Sequence, residues 1–231
     1  KNKYKTIEYI MEIKFYDIIS NQALIIVADF LLTRTFGKEA RWYQLHVFGN
    51  LMVISNIFNE TYSLYRDPFD NYKLLNNHNS SYLILSMHLH HMLFFKLNIM
   101  DYFHHIIFVL FGVFPTILLV NTNQIYLGYI ACSGIPGVIE YSVLSLYKNN
   151  KITIYNQKKI NAFVYNFLRY PMCIYGVSIN LLAHKYNNII TNDNFYVTLY
   201  INFLLYMNGC LFNYLTIKSY NTLIYHQSIA S

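Results

Sequence analysis

Charge is scarce in this sequence: only 12% of its 231 residues are Asp, Glu, Lys or Arg, about half the fraction usual in a soluble domain. With 55% hydrophobic residues and a mean hydropathy of +0.26, that scarcity excludes a water-soluble globular domain and points to a membrane protein. Cysteine is rarer still, at three residues. Cys132, Cys173 and Cys210 each fall inside an apolar segment without CxxC or metal-ligand spacing, so they read as packed core residues rather than ligands or bridges. No Gly-rich phosphate loop, no serine or cysteine triad motif and no internal repeat occurs. The net charge of +6 comes from lysines in short connections and at the ends rather than a stripe on one face, so no nucleic-acid partner is expected. The first seventeen residues, KNKYKTIEYIMEIKFYD, are too charged for the hydrophobic core of a signal peptide and read as a tail or surface helix.

What is present is a series of apolar windows: Ile18 to Phe36, Trp42 to Tyr65, Ser81 to Leu97, Tyr102 to Val120, Gln124 to Tyr147, Ile160 to Tyr186 and Phe195 to Ile217. Irregular backbone cannot face lipid, so each window that crosses a bilayer is helical. The fold class is therefore all-α, a polytopic membrane bundle of about seven transmembrane helices. The bundle occupies residues 18–218, and a tail follows at 219–231. Short connections make sequential helices antiparallel neighbours. The cluster Lys148, Lys151, Lys158 and Lys159 favours a cytoplasmic C-terminus by the positive-inside rule. Gly134-Ile-Pro-Gly137 predicts a kink or a close helix contact in the fifth span.

Five of the nine histidines, His88, His90, His91, His104 and His105, fall within MHLHHMLFFKLNIMDYFHH, residues 87–105. The connection between the third and fourth spans centres on Asn98 and Ile99. At 1.5 Å rise per residue, His91 on one side and His104 and His105 on the other lie roughly 10 Å from the turn, at one depth. Asp101 stands three and four residues before His104 and His105, a spacing that lets a carboxylate orient an imidazole. A lone histidine in a helix interface is usually a satisfied polar core residue. Five at matched depth are costly in a bilayer and point to a polar pocket, relay or substrate path. A membrane di-iron site needs HxxxH and HxxHH boxes, which HLHH followed after twelve residues by HH does not supply, so no metal is assigned. His46 and Asn50, at i and i+4 in RWYQLHVFGN, share a face of the second span, and Arg41 opens that span at its boundary. Glu140 and Arg169 are the other clear charges within spans, and either pair with each other or line the pocket.

RWYQLHVFGN, SMHLHHMLFF and DYFHHIIF on successive spans, with Gly-x-Pro-Gly after them, resemble the TLC-domain superfamily of polytopic membrane proteins over roughly Arg41 to Lys218. The pattern is most similar to TLC-domain proteins of protists and plants, and more distantly to ceramide synthases. The resemblance implies an endoplasmic reticulum or other endomembrane location, membrane lipids as partners, and acyl transfer to a lipid amine, with His104, His105 and Asp101 as the catalytic set and His90 and His91 as the other pair. His88, His46, Asn50, Arg41, Glu140 and Arg169 are then lipid-pocket candidates. No bound cofactor is implied; acyl-CoA is the co-substrate such a reaction would draw on, and a homodimer is the protein assembly considered. Phe108 stands where the synthases carry threonine, and their later His-Asp-x-x-Asp segment is absent. A non-enzymatic role in lipid binding or membrane lipid homeostasis is the alternative.

Overall fold

The structure, a computed structural model, describes residues 15–75, 78–186 and 195–230. These form seven helices: α1 (Phe15–Phe36), α2 (Arg41–Arg66), α3 (Asn79–Phe94), α4 (Ile99–Leu119), α5 (Ile125–Lys148), α6 (residues 154–186) and α7 (Phe195–Ala230). Among the described residues the only extended pairing is a single antiparallel bridge, Leu74 to Thr122. Four helices, α1, α4, α5 and α7, are long and apolar enough to cross a membrane. At 16 residues α3 is about 24 Å long, short of a full crossing, and α2 devotes one face to His46, Asn50 and Thr61 and also buries Gln44.

The distribution of polarity is that of a membrane-embedded protein. Phe30, Leu110, Phe163 and Phe203 are more than half exposed, whereas His88, Arg169, Asn180 and Asn202 are buried. Lipid inverts the usual sorting: apolar side chains cost nothing on the outside, while polar ones must find partners within. The polar residue placed inside the first window, Asp29, obeys this rule, being 3% exposed on the inner face of α1. The predicted N-terminal tail lies largely outside the described residues. The expected tail at 219–231 is instead the end of α7, which continues to Ala230; after Gly209 that segment holds no proline or glycine to stop a helix.

Three interruptions shape the bundle. In α5 the helix breaks between Cys132 and Ile135, where a Cβ on Gly134 would lie 2.5 Å from the Ile130 carbonyl oxygen and one on Gly137 2.6 Å from Asn50 Nδ2. The glycines thus let α5 bend and let α2 approach it, as the sequence predicts. The other two are wide, π-helical turns, at His105–Val113 in α4 and Tyr165–Arg169 in α6. At the end of the bundle opposite the α3–α4 turn, two connections are zipped together. Lys73 N donates to Asn123 Oδ1 (3.0 Å), Asn123 N to the Lys73 carbonyl (3.0 Å) and Leu75 N to the Asn121 carbonyl (2.7 Å).

Candidate functional site: a histidine partition between two cavities

The turn between α3 and α4 is built by a capping box. Asn98 Oδ1 accepts from the Met100 and Asp101 amides, and Asp101 Oδ2 accepts from the Asn98 amide at 2.8 Å. This satisfies orphan donors at the helix start and fixes where α4 begins. Its consequence for chemistry is that the Asp101 carboxylate is spent on the backbone. Among the described residues no carboxylate is hydrogen-bonded to His104 or His105, although the spacing had put both within reach of Asp101.

The histidines themselves pair across the hairpin. Consecutive helical residues point about 100° apart, so His104 and His105 take two different hydrogen-bond partners, which i, i+3 spacing stacks on one face of α3. His88 Nε2 lies 3.1 Å from His104 Nε2, and His91 Nδ1 lies 3.0 Å from His105 Nε2. The first pair has a defined proton arrangement. His88 Nδ1 donates to the Ile84 carbonyl at 2.7 Å, so a neutral His88 can only accept at Nε2, and His104 donates from its own Nε2. That leaves Nδ1 as the unprotonated nitrogen of His104. His46 joins from α2, its ring stacked on Tyr141 at 4.0 Å and set edge-on to Trp42 at 3.8 Å. Trp42 in turn stacks on His91 at 3.5 Å.

His90 does not belong to this cluster. The same 100° step that aims His91 at α4 turns His90 toward α1, where its Nε2 donates to Asp29 Oδ2 at 3.0 Å and Gln22 Nε2 donates to its Nδ1 at 3.2 Å. Asp29 also accepts two hydrogen bonds from Arg41, one from Nε at 2.7 Å and a second from Nη2. Arg41 is therefore more than an interfacial anchor: it ties α2 to α1.

Two cavities meet at these rings. One, of about 130 Å³, runs inside the bundle from His46, His88 and His104 past Asn50 and Arg169 toward Asn180 and Asn202 near the far end. Most of its wall is apolar. The other, of about 670 Å³, is a vestibule at the α3–α4 turn, where Lys38, Arg41, Lys96 and Lys148 outnumber Glu39 and Asp101. His91 and Trp42 face the vestibule, His46, His88 and His104 face the inner cavity, and Tyr141 borders both. The histidine layer, sealed by two aromatic rings, is a partition between an ionic and an apolar compartment.

Deeper along the inner cavity, Glu140 and Arg169 form a buried pair at 3.4 Å, bridged by Tyr165, whose hydroxyl donates to Glu140 Oε2 at 2.6 Å and accepts from Arg169 Nη1 at 2.9 Å. Arg169 Nη2 donates to Asn208 Oδ1 at 2.9 Å. The pair therefore exists, and Arg169 lines the inner cavity while Glu140 is in the lining of neither cavity. Asn50 also lines the inner cavity, and neither polar atom of its carboxamide has a hydrogen-bond partner among the described residues. Among the described residues no three His, Cys, Asp or Glu side chains are grouped so that they could hold a metal ion.

Sequence reasoning missed Asp29, Trp42, Tyr141, Tyr165 and Asn208 as participants. A lone acid inside an apolar window and the only tryptophan of the chain were signals for the first two; one tyrosine among 24 carries none. Comparison of the chain with family models, with curated proteins and with solved structures finds no match.

Proposed function

We propose that this chain is a seven-helix, TLC-like integral membrane protein of the endoplasmic reticulum or another endomembrane, which holds an acyl lipid across the histidine partition. The single observation that supports this reading best is the pairing of compartments. An ionic vestibule suits a phosphate-bearing carrier or headgroup, an apolar-walled cavity suits a chain, and the histidines stand where the two parts of such a molecule join. In the catalytic form of the reading, an acyl-CoA places its thioester at His104 with the anionic carrier among Lys38, Lys96 and Lys148. A lipid amine attacks the carbonyl carbon, forming the C–N bond as the C–S bond breaks. His104 Nδ1 takes the proton the amine loses and returns it to the departing thiolate, so that thioester and amine become amide and thiol.

The alternative, lipid binding without turnover, is favoured by one specific feature. Among the described residues no carboxylate is hydrogen-bonded to the rings of the cluster, and Asp101 Oδ2 is bound to the Asn98 amide. The two readings separate when purified protein is given acyl-CoA and long-chain amines and both product and retained lipid are measured by mass spectrometry. Transfer expects amide formation that His104→Ala abolishes, with Asp101→Ala weakening the fold more than the reaction. Binding alone expects retained lipid and no amide. A chain that retains no lipid and forms no product, with His104→Ala and His105→Ala folded and cellular lipids unchanged, ends both.

A further inference from the structure

We infer that Arg169 is a ligand-binding residue of the inner cavity, donating from Nε to an oxygen of the bound molecule, a carboxylate or acyl carbonyl. The inference rests on the lipid reading above and assigns the polar end of the lipid a specific partner. Four observations converge on it. Arg169 is 5% exposed and lines the inner cavity together with His104 and Asn208. Its two terminal nitrogens are engaged by Tyr165, Glu140 and Asn208, but its Nε has no acceptor among the described residues, and an unsatisfied donor on a buried guanidinium is costly unless something else supplies the oxygen. The guanidinium and the catalytic-candidate ring are held against one spacer: Arg169 stands over the Phe212 ring at 5.4 Å and His104 packs on the same ring at 5.8 Å. Both side chains thus pack against Phe212 and line the same cavity. Finally, the two wide turns of the bundle adjoin these residues, one beginning at His105 and the other ending at Arg169, and such turns are frequent where a helix re-aims a functional side chain.

Glu140 is the built-in competitor. Its carboxylate is 3.4 Å from Arg169 Nη1, a loose contact, while it accepts a closer hydrogen bond of 2.6 Å from Tyr165. The guanidinium is thus positioned by Tyr165 and Asn208 and only partly neutralised, which leaves it able to draw an electron-rich oxygen into a low-dielectric cavity.

The test uses the full chain in lipid nanodiscs equilibrated with equal amounts of palmitate and hexadecanol, two probes that share a chain and differ at the head, with retained ligand counted by native mass spectrometry. Wild type is expected to retain the carboxylate in preference to the alcohol. Arg169→Gln should reduce that preference by about tenfold, the scale of one charge-assisted hydrogen bond, while Arg169→Lys retains part of it. Glu140→Gln removes the competitor and should raise the preference, a sign that a purely structural role for the pair would not give. If wild type retains neither probe, the lipid reading falls and this inference with it. If both probes are retained but Arg169→Gln leaves their ratio unchanged, Arg169 is not the partner and the lipid reading stands. Should Arg169→Gln fail to fold, an unchanged or lowered preference in Glu140→Gln overturns the inference equally.

Discussion

Replacing Asp29 with asparagine removes one charge while keeping the shape of the side chain, and the structure sets what that costs. Asp29 accepts two hydrogen bonds from Arg41, one from His90 at 3.0 Å and a longer one from Thr33 Oγ1 at 3.4 Å. Arg41 and His90 differ in what they can do afterwards. The Arg41 side chain is 37% exposed and can turn into the vestibule to find water. His90 is 2% exposed and can only keep the one carbonyl oxygen that asparagine still offers. The variant therefore loses one to two hydrogen bonds to a charged acceptor, about 2–4 kcal/mol in all, near the lower end of what breaking a buried ion pair costs. Unfolding by sodium dodecyl sulfate in mixed micelles, followed by circular dichroism, measures the loss. A cycle with Arg41→Gln isolates the pair, and a coupling of about 1.5–3 kcal/mol is expected. A change under about 0.5 kcal/mol, or strict additivity with Arg41→Gln, would refute the view that this network joins the first three helices.

Other outcomes follow from single contacts. Gly137→Ala puts a Cβ 2.6 Å from Asn50 Nδ2, whereas Gly128→Ala meets nothing closer than 3.6 Å; overpacking should cost the first about 1–3 kcal/mol and spare the second, which the same unfolding assay decides. Trp42→Ala removes the ring between His91 and His46 and should join the two compartments, raising hydrogen–deuterium exchange at the ring carbon of His46, on the inner side, severalfold; unchanged exchange would mean that Trp42 does not seal the partition. His78, in the connection before α3, is buried, and burial pushes its pKa down to about 4 from 6.5. The fold therefore prefers the neutral ring: its contribution is complete above pH 6.5 and is lost as pH falls from 6.5 toward 4, up to about 3 kcal/mol. His78→Asn should flatten that part of the stability–pH curve, and an unaltered slope would show that other groups carry it.

How far the sequence anticipated the molecule depends on the range of the interaction. Helix positions were legible because they are dictated locally, by runs of apolar residues between short polar breaks; the described helices fall on every window, and four of them are long and apolar enough to cross a membrane. The histidine hairpin was legible for a similar reason, since a short turn and i, i+3 spacing determine depth and face. His90, which the resemblance pairs with His91, is hydrogen-bonded to Asp29 on α1 instead, because neighbouring residues on a helix point about 100° apart. Asp101 carried a second local signal: Asn98 followed three residues later by Asp101 is a capping-box pattern, and the structure shows that use. Asp29 with Arg41 and His90, and Arg169 with Asn208, were out of reach because partners 12, 61 and 39 positions away are chosen by packing rather than by pattern. The wide turns were equally invisible, having no composition of their own.

Those turns bear on how the two helices tolerate change. A wide turn carries more residues per revolution than an ordinary helical one, so it shifts the angular phase of everything beyond it. In α4 the phase set by His104 and His105 is reset before Thr116 reaches the far part of the cavity wall; in α6 the reset comes just before Arg169 and governs Asn180. Loss of one residue within either stretch would let the helix relax to regular winding without breaking it, yet rotate one half of the wall about 100° against the other. Length, more than residue identity, is what these two segments must conserve for the cavity to keep a continuous lining.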